Sequence, residues 1–371
     1  MAFSSGRTPG QWPESLCVIR LSAIGDCCHT LPVVRTLQSA WPDTRITWVI
    51  GRTEYELMKG VDGVEFITFD KNQPRASLTQ LRAQTRGRRF PVLLHMHASM
   101  RANFASRVVG AVRRIGFDRG RARDYQWLFT NERIAAHADQ HVMDGLFAFI
   151  EHLGIHERRL RWDIPLSDDD RAFAESQARG PAPLVVISPC SSQRFRNFRD
   201  WRAENYAEVA NRLQQQFGAK LLLTGGPTAV ERAYGTAIAS ATCAPVTNLI
   251  GQTSLKQLLA LLERASLLIC PDSGPAHMAT AVGTPVIGLY ATSNRHRTGP
   301  YFCQDLVVDA YPEAVRREFG VPVSQLRFGQ RVRDPAAMDL IRTSDVIARA
   351  EQVLQNPGAR RNGTPDAPGS A

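Results

Sequence analysis

LERASLLICPDSGPAHMATAVGTPVIGLY, residues 262–290, decides the fold. An apolar run ends at Asp272, the polar turn Ser273-Gly274-Pro275 follows, and a stretch of small residues leads into a second apolar run. The order is strand, turn, helix, strand. Such a turn aims backbone N–H groups and the positive end of a helix dipole at one point, a setting suited to phosphate. The stretch therefore predicts a nucleotide or sugar-phosphate site late in the chain.

Upstream of it the same alternation repeats. PLVVISPCSS (183–192), AKLLLTGGP (219–227) and VTNLIG (246–251) read as strands, separated by the helical patterns NYAEVANRLQQQFG (205–218), a segment from Val230, and SLKQLLALLERAS (254–266). The first half has LCVIRL (16–21), TRITWVIG (44–51), VEFITF (64–69) and PVLLHMH (91–97) as strands. After LCVIRL the turn SAIGD enters a helix in which Pro32 is expected near the first turns, where proline is tolerated. ADQHVMDGLFAFIEHLG (138–154) has helical spacing, and 162–183 reads as the passage between domains. Strands alternating with helices predict parallel βαβ units. The expected architecture is α/β, with two doubly wound parallel-sheet domains at 15–170 and 181–355 and disordered tails at 1–14 and 356–371. Open sheets of this type bind ligands at the carboxyl ends of their strands, so the cleft between the domains is the expected active site.

Composition narrows the function. A net charge of +10, carried mostly by arginine, concentrates at Arg82–Arg123 and Arg194–Arg202. The planar guanidinium fork suits carboxylates and phosphates. Nucleic acid ranks last as a partner, because the basic clusters lack interleaved aromatic platforms and no helix-turn-helix or zinc-finger pattern occurs. The seven cysteines form no CxxC pair and are expected to be reduced core residues. Without a secretory leader or a long apolar run, the expectation is a cytoplasmic protein.

Three turns carry candidate chemistry. Gly25-Asp26 follows the first strand: Asp26 either caps the next helix or takes a proton from an attacking hydroxyl. His29 lies on the same helix face, as a packed side chain or a substrate contact. The turn lacks GxGxxG, which argues against a dinucleotide enzyme. After the first strand of the second half, Ser191, Ser192, Arg194, Arg196 and Arg199 share one loop that could neutralise a leaving pyrophosphate, and Thr228 closes the turn after the next strand. At the opening stretch, Asp272, Ser273, Gly274 and His277 exceed what helix capping requires. No His, Cys, Asp or Glu spacing suits a metal, so neither a metal nor another cofactor is expected.

Together, RLSAIGDCCHTLPVVRTLQ (20–38), SPCSSQRFRNFRDWRAENYAEVANRL (188–213), LLLTGGPTAVERA (221–233) and residues 250–291 resemble the bacterial ADP-heptose:lipopolysaccharide heptosyltransferases, glycosyltransferase family 9. The resemblance implies a GT-B fold, with two Rossmann-like domains facing a cleft, the first holding the acceptor and the second the ADP-sugar. It implies inversion without a metal and Asp26 as general base. It places Asp272, Ser273, Gly274 and His277 in a DxGxxH donor motif, with Ser273 where threonine is common. Ser191, Ser192, Arg199 and Thr228 join the donor set, Arg199 standing where many relatives have lysine and Thr228 where some have a ribose-binding glutamate. Gly25, His29 and Arg101 are the acceptor candidates. The acceptor expected is the anionic inner core of lipopolysaccharide, carrying 3-deoxy-octulosonate or heptose on lipid A. Arg101, Arg107, Arg113 and Arg114 suit such an anion, and the same charge suits peripheral contact with the cytoplasmic face of the inner membrane. The alternatives are a GT-B enzyme using another nucleotide sugar, or a non-catalytic nucleotide-sugar binding protein.

Overall fold

The computed structural model describes residues 12–192 and 196–356. The chain forms two α/β units. The first runs to Ile164 except for Ala138–Met143, which pack with the second; the second resumes at Pro165.

The first sheet contains β1 (Ser15–Arg20), β2 (Arg45–Gly51), β3 (Val64–Phe69), β4 (Phe90–His95), β5 (Ala111–Gly116) and β6 (Glu132–Arg133), in the order β3-β2-β1-β4-β5-β6. Every neighbouring pair is parallel. Leu16 to Ile19 of β1 are fully buried, as expected for a central strand covered by helices on both faces. The second sheet repeats the scheme with β7 (Leu184–Ile187), β8 (Lys220–Leu223), β9 (Val246–Asn248), β10 (Leu267–Pro271), β11 (Val286–Tyr290) and β12 (Val308–Asp309), ordered β12-β11-β10-β7-β8-β9. Both orders are the doubly wound Rossmann arrangement, in which crossovers from the central pair leave in opposite directions and open a crevice. That crevice lies between β1 and β4 in one unit and between β7 and β10 in the other.

Several sequence expectations are corrected. Pro32 lies deep inside helix Ile24–Ala40, not in its first turns. Proline has no N–H to give the carbonyl of Cys28 four residues back. The indole Nε1 of Trp162 donates to that carbonyl instead, at 2.7 Å. Around this substitute bond the segment before Pro165 is seated on the helix: Arg35 Nε meets Asp163 at 2.6 Å and the Arg159 N–H donates to Thr36 at 2.8 Å.

The segment 162–183 is more than a passage, since helix Asp168–Gln177, capped by Ser167, belongs to the second unit. The pattern at 138–154 is helical only from Val142 to Glu151. Ahead of that helix, His141 Nε2 lies 3.0 Å from the carbonyl of Gly299, and its ring packs edge-on to Tyr301. Residues 12–14, expected in a tail, are packed, with Trp12 against Trp41 and the Pro13 carbonyl accepting from Thr44. The rest of that tail, 1–11, and residues 357–371 lie outside the described residues. Five cysteines are buried as expected, but Cys243 is exposed.

Replacing Trp162 by Phe is expected to strand the Cys28 carbonyl and lower stability by about 1–3 kcal/mol. Pro32→Ala supplies the missing N–H and should recover part of that loss. Urea unfolding of the two single variants and the double variant measures the coupling; strictly additive effects would rule out the substitution of one donor for the other.

Candidate functional site

In the first unit, chemistry gathers at the carboxyl edge between β1 and β4. β1 ends at Arg20, and Asp26 lies in the first turn of the helix that follows. Its Oδ2 accepts the Ala23 N–H at 3.0 Å, and the same oxygen pairs with Arg20 Nη2. Arg20 Nη1 donates to the Met96 carbonyl just past β4, and its Nε is buried without a partner. Beside it His97 accepts the Leu21 N–H at Nδ1, 3.2 Å away, which leaves its proton at Nε2.

These contacts set protonation. Burial works to raise the Asp26 carboxyl, but the Arg20 charge and the Ala23 N–H outweigh it and hold the group below its ordinary value. The Asp26 side chain is still 29% exposed, so it is an ionised carboxylate that solvent-borne groups can reach. His97 is pushed down to about 3, by burial first and by Arg20 second, and is neutral near pH 7. Asp26 thus satisfies the capping account and keeps the geometry that a proton acceptor needs.

Of the other first-unit candidates, Gly25 is buried in the helix and His29 is buried beneath it. Arg101 is exposed at the start of helix Met100–Val108, with Nη1 donating to the Lys71 carbonyl at 3.1 Å. Lys71 in turn pairs with the buried Glu54 at 2.8 Å. Arg113 is engaged by Glu132 and Arg114 by the carbonyls of Ser106 and Val109, so these two serve the fold.

In the second unit the corresponding edge lies between β7 and β10. Asp272 directly follows β10, and Ser273 and Gly274 open helix Gly274–Ala281. No side chain caps that helix: the Ser273 hydroxyl turns back to the Pro271 carbonyl at 3.1 Å. The first-turn N–H groups have no carbonyl four residues back within the helix, and Pro275 has no N–H at all. Asp272 does not cap. Its Oδ2 accepts from Ser293 at 2.7 Å and Thr298 at 3.2 Å, and pairs with Arg199 Nη1 at 3.1 Å. Arg199 Nη1 also donates to the Asp272 carbonyl at 2.6 Å, while its buried Nε has no partner among the described residues. A carboxylate here would repel a phosphate, so Asp272 acts by fixing Arg199 and the loop after β11.

The loop leading to Arg199 is anchored from both ends. Trp201 is fully buried edge-on to Tyr206, with its indole N–H donating to the Ile341 carbonyl. Ser191 gives both its N–H and its hydroxyl to Asp200, at 2.7 and 2.8 Å, so the expected ligand hydroxyl is a loop brace. Ser192 and Arg196 are exposed, and Arg194 lies outside the described residues. Thr228 is likewise spent: it caps helix Ala229–Ala241, accepting the Glu231 N–H and donating to the Glu231 carboxylate at 2.6 Å. Glu231 also accepts from the Gly226 N–H at 3.0 Å. His277 is buried in helix Gly274–Ala281.

Sequence reading missed Arg20, His97, Asp200, Glu231, Ser293 and Thr298. Thr228-Ala-Val-Glu231 carries the T-x-x-E signal of a helix start, which was available. Arg20 and His97 are joined through the neighbouring of β1 and β4, Ser293 and Thr298 meet Asp272 from the loop after β11, and Asp200 meets Ser191 by the folding of one loop.

The family model described as glycosyltransferase family 9 (heptosyltransferase) matches residues 78–320. The chain is 38% identical to the lipopolysaccharide core heptosyltransferase OpsX of Haemophilus influenzae, over 92% of this chain and 97% of that protein. In fold it resembles the glycosyl transferase family 9 protein of Veillonella parvula, with TM-score 0.76 at 22% identity over 92% and 98% of the two chains. The Escherichia coli ADP-heptose lps heptosyltransferase II follows, with TM-score 0.69 at 19% identity over 93% and 100%. Two Rossmann-like units of the GT-B class, the family match and high coverage of the relatives lead to one assignment: the chain is an enzyme belonging to glycosyltransferase family 9, the heptosyltransferases.

Proposed function

We propose that this enzyme transfers heptose from ADP-heptose to the inner core of lipopolysaccharide, inverting the anomeric carbon and using no metal ion. Asp26 is the general base. The acceptor hydroxyl bonds to the anomeric carbon and gives its proton to Asp26. The bond from that carbon to the diphosphate oxygen breaks, and its electron pair leaves with ADP. Arg199 and the uncapped helix end at Ser273-Gly274 meet the growing negative charge, which is electrostatic work that a divalent cation does elsewhere.

The observation that carries the reading is the pairing of Asp26 with Arg20. It keeps the carboxylate ionised well into acid, ready to accept a proton once bond formation has made the hydroxyl acidic. Support for the donor side comes from the Arg199 Nε, without a partner among the described residues, and from a helix start that no side chain caps. The likeness to OpsX supports a lipopolysaccharide core acceptor, with Arg101 as an anion contact. Gly25 and His29 then shape the acceptor side by packing. Association with the anionic inner face of the membrane completes the proposal; no helix of the described residues is long and apolar enough to cross a membrane.

Asp26→Asn should lower kcat by roughly 10²–10⁴ while ADP binding, followed by calorimetry, stays unchanged; normal turnover would remove Asp26 from the mechanism. Because Arg20 depresses the Asp26 pKa, activity should persist above the ordinary aspartate value and fall only as pH drops through the lowered one. Arg20→Gln is expected to move that acid limb upward by about one pH unit or more, and Arg20→Lys to restore most of the shift. Protein treated with EDTA should transfer at the full rate; dependence on added Mg²⁺ or Mn²⁺ would overturn the metal-free step.

A further inference from the structure

Among the described residues, six of the nine exposed large apolar side chains fall between residues 100 and 128, all in the first unit. Leu128 is 72% exposed, Tyr125 59% and Phe104 50%; Trp127 and Met100 are also open to solvent. They form one surface. Met100, Phe104 and Arg107 stand at i, i+4 and i+7 of helix Met100–Val108, and so share a face, while Ala102, Asn103, Ala105 and Ser106 turn toward the sheet.

The short helix Gln126–Leu128 is clamped beside that face by three contacts. The Asp124 carboxylate accepts the Met100 N–H at 3.0 Å, the Asp124 carbonyl accepts from Asn103 at 2.6 Å, and Phe104 meets Phe129 edge-on at 6.0 Å. Tyr125 and Trp127 pack together at 5.5 Å. A clamped turn that displays Tyr, Trp and Leu to water is unfavourable in isolation and implies a covering phase.

Charge identifies that phase. From residue 98 to 131 there are seven arginines, two aspartates, and no lysine or glutamate. Both aspartates are already engaged, Asp118 by Arg121 and Asp124 by the helix start. Arg107, on the Met100–Phe104 face, Arg123, next in sequence to the turn, and Arg119 are exposed and enter no ion pair among the described residues. Amphipathic aromatics beside unneutralised cations match the interface of an anionic bilayer, where rings settle at headgroup depth and arginines face lipid phosphates. A protein partner of ordinary composition would have to supply acidic groups as well as an apolar surface.

We propose that the face formed by helix Met100–Val108 and the turn Asp124–Leu128 is the surface by which this enzyme docks on an anionic phospholipid bilayer. The inference names the surface for the membrane association stated above and rests on that reading. It does not depend on the identity of the donor or the acceptor.

The test is co-sedimentation of the full chain with vesicles of phosphatidylcholine and with vesicles rich in phosphatidylglycerol, in the absence of any sugar. The wild-type protein should partition onto the second and be released as salt rises. Leu128→Ser combined with Tyr125→Ser should weaken partition at least tenfold, and Arg119→Gln combined with Arg123→Gln about 25-fold, taking about fivefold per lost charge. Circular dichroism and unchanged turnover of a water-soluble acceptor fragment verify that the variants are folded. If the wild type ignores both vesicle types, membrane association itself fails. If it binds but the variants bind equally well, the association stands and this surface is wrong. If sedimentation velocity shows that Leu128→Ser dissolves a dimer and leaves vesicle binding intact, the face is a contact between copies of the chain and the proposal is overturned.

Discussion

An arginine braced across the switch point of each sheet is the interaction on which the candidate residues of each unit depend. In the first unit Arg20, at the end of β1, ties the Met96 carbonyl past β4 to the Asp26 carboxylate. In the second unit Arg199, from the loop after β7, ties itself to the carboxylate and carbonyl of Asp272 past β10. A crevice between diverging crossovers has no backbone partner to fill it, so a charged fork makes the bridge. The two bridges have opposite consequences. Arg20 spends its charge to keep a carboxylate ionised, whereas Arg199 is oriented by its carboxylate and keeps an unpaired N–H in reserve.

Much of the fold was legible because apolar runs alternate with helical spacing, and central parallel strands advertise themselves as uninterrupted apolar segments. Asp26 and the Asp272 turn were also legible, because each directly follows such a run. What was not legible came from hydrogen bonds that depend on tertiary folding. Ser191 looked like a ligand hydroxyl until Asp200, nine residues on, claimed it. Arg20 looked like the polar end of a strand, and only the placement of β4 beside β1 turned it toward Met96 and Asp26. Pro32 was misread for the same reason: its missing bond is supplied by Trp162, a residue far along the chain that sequence spacing cannot bring near.

The arginine content, too, divides once contacts are known. Some of it is structural: Arg113 and Arg114 are held by Glu132 and by backbone carbonyls, and Arg35 by Asp163. Composition counts these equally with Arg107, Arg119 and Arg123, which enter no ion pair among the described residues. A single net charge therefore conceals an internal scaffold and an external display, and only the second is available to an anionic partner.

Residues Ala138–Met143 give the architecture a last consequence. Because this stretch leaves the first unit, packs with the second through His141, Gly299 and Tyr301, and then returns for helix Val142–Glu151, the chain passes between the units more than once. The halves are interlaced rather than strung on one connector. Exchange of the whole second unit with a relative, by recombination or in the laboratory, cannot succeed at a single crossover near residue 165. The six borrowed residues would still carry the old partner's contacts, so a functional hybrid has to inherit two discontinuous stretches of chain together.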